Sequence, residues 1–168
     1  MIAGPRISHL FGDDPRRIVL VGQAPGRDGD ATAPCGSGFM RRLCAVSGLS
    51  VEQYADTFDR ANILAWWPGP RVGVGVDGDA FPLADARAAA ERLRPMLRGR
   101  IVVLAGRRVE HVLAERRGAL FTPRAAGWCD VFFVIPHPSG LNRWWGCPEN
   151  VAIAGDFVRA LAAARRAS

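Results

Sequence analysis

Ile101-Val102-Val103-Leu104-Ala105-Gly106 carries no polar side chain and stops on a glycine. A β-branched run without polar alternation is the pattern of a strand buried on both faces, and such strands belong to parallel sheets covered by helices. Working outward, Arg107–Arg117 reads as a helix behind this strand. Leu83–Leu97 reads as an alanine-rich helix before it, with Pro95 placed to end or kink it. The same kind of run recurs at Ile18-Val19-Leu20-Val21, closed by Gly22, and at Ala61-Asn62-Ile63-Leu64-Ala65, closed by Trp66-Trp67-Pro68-Gly69-Pro70. A fourth, Val131-Phe132-Phe133-Val134-Ile135, runs straight into Pro136-His137-Pro138-Ser139-Gly140. Phe39, Met40, Leu43, Cys44 and Val46 recur at helical spacing up to Gly48, and Ser50 with Gln53 has the pattern of a capping box. Glu149–Arg166 reads as a long C-terminal helix. The first 16 residues read as a loop-rich lead-in, and Arg71–Phe81 as a glycine-rich loop. Strands alternating with helices predict an α/β protein, a three-layer α/β/α arrangement with a central, mainly parallel four-stranded sheet. With no repeat, linker or low-complexity block, residues 1–168 are expected to form one domain.

Composition narrows the chemistry. The chain has 168 residues and a net charge of +6, and all 22 basic residues are arginine. Without lysine there is no phosphate-loop lysine, no pyridoxal Schiff base and no lysine nucleophile. The charge is uneven: residues 1–84 hold 8 Arg against 9 acids, residues 85–168 hold 14 Arg against 7. A basic half points to a polyanionic partner, although arginine-rich base composition alone also produces it. Cys35, Cys44, Cys129 and Cys147 form no C-x-x-C, so no metal site is expected, and the thiols read as reduced. No charged segment followed by an apolar one opens the chain, and no apolar run approaches a membrane span. A cytoplasmic protein without membrane contact, and a monomer, is the expectation.

In parallel sheets ligands bind at the carboxyl ends of the strands. Three strands run there into unusual loops: Gln23-Ala24-Pro25-Gly26, Trp66-Trp67-Pro68 and His137-Pro138-Ser139-Gly140. These loops should meet along one rim. The glycine-rich first loop suits an anion-binding nest but lacks the ending of a phosphate loop; as a plain turn it needs no function. Asn62 is one polar group in an apolar run. It is either a satisfied core amide or a reader of a base edge, offering donor and acceptor together. His137 is stiffened by a proline on each side and faces the glycine-rich loop, which favours function over packing.

Together Gly22-Gln23-Ala24-Pro25-Gly26, Asn62 and His137-Pro138-Ser139-Gly140-Leu141-Asn142-Arg143 resemble, in order and spacing, the motifs of the uracil-DNA glycosylase superfamily. The resemblance covers about residues 17–165. It implies a monofunctional glycosylase that flips deoxyuridine out of DNA, single- or double-stranded, hydrolyses its N-glycosidic bond and leaves an abasic site in base excision repair. By the same resemblance Asn62 reads the edge of uracil, and His137 donates to its O2 as the base departs. Backbone N–H groups near Gln23 and Ala24 hold the base. The aromatic partner of the base falls near Cys35 or Phe39. Ser139 and Gly140 grip phosphate, while Leu141, Asn142 and Arg143 fill the gap left in the duplex. One of Trp144 and Trp145 is expected in the core and the other near DNA.

The departures from that pattern also carry information. Ala24 stands where relatives have a water-activating Asp or an Asn, so the catalytic water falls to Gln23, or to Asp28 or Asp30. Gly26 stands where a tyrosine bars thymine in the best-known branch. Trp66-Trp67 stand where the iron–sulfur branch has a cysteine, so no cluster and no other cofactor is expected. Two alternatives remain open. One is release of another damaged base such as hypoxanthine, xanthine or an oxidised pyrimidine. The other is a catalytically impaired protein that binds uracil or single strands.

Overall fold

The computed structural model describes residues 8–29, 32–72 and 78–167; Asp30 and residues 73–77 of the glycine-rich loop lie outside them. Among the described residues six strands form one sheet: β1 (Ser8–Leu10), β2 (Ile18–Gly22), β3 (Phe58–Asn62), β4 (Ile101–Ala105), β5 (Arg124–Ala126) and β6 (Cys129–Ile135). Their order is β1-β3-β2-β4-β6-β5. The middle four, β3-β2-β4-β6, are parallel, as the non-alternating apolar runs require. The two edge strands are antiparallel additions. Each is three residues long and lies at an edge, so neither carries the apolar run that marks a strand in sequence. The expected strand over 61–65 sits three residues earlier, at Phe58–Asn62. Pairing with β2 fixes that register, Ile18 opposite Phe58 and Gly22 opposite Asn62. Ile63 and Leu64 remain fully buried just past the strand, which is why the apolar run misplaces it.

Among the described residues five α-helices cover the sheet: α1 (Ser37–Ser47), α2 (Val51–Thr57), α3 (Leu83–Leu93), α4 (Arg107–Leu113) and α5 (Pro148–Ala167). Alternation along the strands sorts them into two layers. Val19, Val21, Val102, Leu104 and Val134 point to the side of α3 and α4, meeting Ala86, Ala90, Leu93, Val109 and Leu113. Ile18, Leu20, Val103, Ala105 and Ile135 point to the side of α1, α2 and α5, meeting Leu43, Tyr54, Ala154 and Val158. Pro95 does interrupt its helix: α3 gives way to a 3-10 turn over Arg94–Leu97. The capping box forms, with the Gln53 N–H donating to Ser50 Oγ at 3.2 Å and the Ser50 N–H to Gln53 Oε1 at 2.8 Å. α1 ends at Gly48, whose φ of 72° lets its N–H reach back to the Cys44 carbonyl. No helix among the described residues is long and apolar enough to cross a membrane.

Two buried carboxylates anchor the frame. Asp59, on β3, pairs with Arg100 and Arg17 and accepts the Gly12 N–H at 3.0 Å, tying the lead-in to the sheet. Glu110, on α4, takes Arg107 at 2.7 Å, Arg124 at 2.5 Å and the Gly118 N–H at 2.8 Å, tying α4 to β5.

Candidate active site

A cleft of about 1390 Å³ opens along the rim where the parallel strands end. It exceeds the few hundred Å³ that one small ligand fills, and so has room for a base together with its sugar and phosphates.

The floor is built by the ends of β2 and β3. Asn62 is the last residue of β3 rather than a mid-strand residue, and it is 2% exposed. Gly22 faces it so closely that a Cβ there would stand 2.6 Å from Asn62 Oδ1 and 3.1 Å from Cys35 Sγ. Cys35 takes a left-handed φ of 52° and its N–H donates to Asn62 Oδ1 at 3.4 Å. Its thiol donates to the Ala61 and Leu20 carbonyls, and burial pushes its pKa up to about 12, so it stays protonated. The first loop is stitched to the chain after β3: the Ile63 N–H reaches the Gly22 carbonyl at 2.9 Å, and the Leu64 N–H the Gln23 carbonyl at 2.8 Å. With Oδ1 held from behind, the amide of Asn62 has its Nδ2 donor left for the cleft.

One wall is His137, immediately after β6. Three donors fix its carbonyl: Asn142 Nδ2 at 3.0 Å, Trp145 Nε1 at 2.9 Å and the Ser139 N–H at 2.8 Å. Gly106, with φ of 99°, gives the side chain room, since a Cβ there would lie 2.9 Å from His137 Cβ. Phe39 meets the imidazole edge-on, with centroids 6.1 Å apart and planes at 88°. Burial pushes the His137 pKa down to about 4, helped by the Arg108 guanidinium and opposed by Asp79. The ring is therefore neutral near pH 7 and able to donate one hydrogen bond.

The lip joins the first loop to α4. Arg108 Nη1 donates to Gln23 Oε1 at 3.3 Å and to the Asp79 carbonyl at 2.9 Å, while Asp79 Oδ1 accepts Trp67 Nε1 at 2.8 Å. Asp28 is exposed in a tight turn closed by the Gly29 N–H on the Gly26 carbonyl. Ala24 is half-buried and packs on the core beneath. Across the cleft Leu141 stands 67% exposed.

A family model described as the uracil DNA glycosylase superfamily matches residues 9–161. The chain belongs to this superfamily. Membership brings the general function of a DNA glycosylase, a hydrolase acting on DNA, within an α/β/α frame. No curated protein matches the chain in a direct sequence comparison.

Asp30 lies outside the described residues. Of the expected site residues that are described, all but one line the cleft. The exception is Arg143, exposed on the 3-10 turn Arg143–Gly146 beyond it. Asn142 lines the cleft, yet both ends of its amide are engaged internally, Oδ1 by the Trp144 N–H at 3.1 Å and Nδ2 by the His137 carbonyl. The tryptophan pair departs from expectation. Trp145 is 6% exposed, and Trp144 packs edge-on to it and tilted on Phe121, so both belong to the apolar layer. The apolar side of α5 and Phe121 supply a better surface than the cleft for a second indole.

Sequence reasoning missed Arg108, Arg41 and Arg42, all of which line the cleft. Arg108 had a legible signal. The rule that ligands bind at strand ends applies to β4 as well, and Gly106-Arg107-Arg108 follows it directly. Arg41 and Arg42 had none, because nothing in a helix's sequence tells which cleft its N-terminal turns will border. Among the described residues no three His, Cys, Asp or Glu side chains gather as a metal site would need.

Proposed function

We propose that this glycosylase hydrolyses the N-glycosidic bond of deoxyuridine in DNA, releasing uracil and leaving an abasic site. The observation that carries the reading is the meeting of Asn62 and His137 in one cleft, with the edge of Phe39 against the imidazole. A flipped base entering this cleft meets amide Nδ2 of Asn62 as a donor for a pyrimidine carbonyl. Neutral His137 donates to O2, where negative charge gathers as the bond to the sugar breaks; such preorganised donors are typically worth about 10²–10³ in rate. Phe39 offers its ring to the base. Water then attacks C1′. With Ala24 unable to act, the water is oriented by the Gln23 amide or by the Asp28 carboxylate. Leu141, exposed at the cleft, has the character of the apolar wedges that fill an emptied base stack.

Purified protein incubated with uracil-containing single- and double-stranded oligonucleotides, then treated with alkali, tests the reading. Strand scission at the uracil position is expected, and its absence on both substrates overturns it. One observation favours a wider range of bases. Gly26 has open space where a side chain would project, so the mouth of the cleft offers no bulk there against a 5-methyl group or a larger ring. Parallel oligonucleotides carrying hypoxanthine, xanthine and thymine opposite guanine measure that range.

A further inference from the structure

Among the described residues, Arg108 sits in the cleft wall as a cation with no carboxylate paired to it. The acceptors its Nη1 meets there are neutral oxygens, the side-chain carbonyl of Gln23 and the backbone carbonyl of Asp79. No carboxylate lies within ion-pair distance of it among the described residues, in contrast to Arg17, Arg94, Arg100, Arg107, Arg124 and Arg159. Asp79, an acid whose charge reaches Arg108, has a carboxylate oxygen engaged by Trp67 Nε1 at 2.8 Å. Burial, and then the charge of Arg71, disfavours the charged form of Arg108, with Asp79 opposing them only in part. A partly desolvated guanidinium held by neutral acceptors is electrostatically unfinished, and an anion arriving in the cleft completes it. Its place is specific: Phe81 lies under the guanidinium at 6.0 Å, Gln23 beside it, and His137 close enough to feel its charge.

We propose that Arg108 is a catalytic residue whose guanidinium stabilises the negative charge developing on the departing base. The C1′–N1 bond breaks with its electron pair passing to the base, and the charge spreads onto the carbonyl oxygens. Arg108 and neutral His137 share that charge. Water adds to C1′, and the proton it loses ends on the base. By holding Gln23 Oε1, Arg108 also fixes the Gln23 side chain at the cleft. The proposal rests on the uracil-releasing reading above.

The test compares Arg108→Gln and Arg108→Lys with the parent protein in single-turnover release of uracil and of 5-fluorouracil, a base whose anion is intrinsically more stable. Arg108→Gln should slow uracil release about 10²-fold, the range for loss of one preorganised donor. The loss should shrink at least several-fold with 5-fluorouracil, since a better leaving base needs less help, and Arg108→Lys should recover part of the rate. DNA affinity should hold in both variants. An unchanged rate overturns the proposal. So does an equal loss with both bases accompanied by weaker DNA binding, which marks a phosphate contact instead. If Arg108→Gln does not fold, Arg108→Lys carries the same two-base comparison. Parent protein that releases neither base defeats the uracil reading itself, whereas active parent protein with an unaffected Arg108→Gln defeats only this proposal.

Discussion

The His137 imidazole is neutral because burial removes its water and Arg108 stands nearby, and its pKa falls to about 4. The sign of the consequence follows. The folded protein binds fewer protons at this site than the unfolded chain, whose histidine titrates near 6.5. His137 therefore costs no stability above pH 6.5, and acidification from 6.5 towards 4 destabilises the fold progressively. The His137 ring resonances, assigned with His137→Ala, should stay fixed between pH 8 and 5.5. Base release should likewise show no His137-dependent loss through pH 6.5. A histidine titrating at 6.5 would contradict the buried site. On the proposed roles, His137→Ala and Asn62→Ala should each cut uracil release by about 10²-fold or more, as loss of single preorganised donors does. Oligonucleotide binding by gel shift should persist. Full activity in both variants would show that the site lies elsewhere. Asn62 and His137 were legible as residues from their motifs. The protonation state of His137 was not, because it depends on burial in the folded cleft and, after that, on an arginine 29 positions earlier in the chain.

At the scale of elements, the junctions after β4 and β6 hold the site. Gly106 ends β4 and begins α4 with φ of 99°, and its missing Cβ makes room for His137. Gly106→Ala should therefore act twice. It should destabilise by about 1–3 kcal/mol, the usual cost of a residue forced into a disfavoured backbone region, and it should depress base release beyond what unfolding explains. A denaturant melt alongside single-turnover rates separates the two. The turn after β6 offers a second handle. Asn142 caps the 3-10 turn Arg143–Gly146 and grips the His137 carbonyl. Asn142→Ala should cost about 1 kcal/mol as a lost cap and loosen the histidine. Element type was readable because parallel strands buried on both faces need continuous apolar runs. Element limits were less so. At 58–65 the buried apolar residues continue past the strand, and only pairing with β2 decides that the strand stops at Asn62.

Across the whole molecule, charge and the buried anchors matter. Arg41, Arg42 and Arg108 border the cleft, and in the lysine-free chain every side-chain cation available to phosphate, the histidines aside, is an arginine. DNA binding should weaken steeply with salt, by about 0.9 in log–log slope for each phosphate neutralised, and Arg41→Gln with Arg42→Gln should flatten that slope in fluorescence anisotropy. The absence of lysine also excludes a lysine Schiff base, so borohydride should trap no lysine-linked DNA adduct and the product should be an intact abasic site. Far from the cleft, Asp59→Ala should destabilise by about 3–5 kcal/mol, because it strands the charges of Arg100 and Arg17 inside the protein.

By itself the sequence determined the α/β layering, the order of the strands' loops and the three motifs that carry its resemblance to the superfamily. Those depend on residue types and short spacings, which local physics dictates. The tertiary structure alone decided how the motifs are completed. It brought Cys35 behind Asn62, Gly106 beneath His137 and Arg108 beside Gln23, pairs separated by 27, 31 and 85 positions. Contacts across such distances come from sheet order and packing, and no local pattern in the chain encodes them.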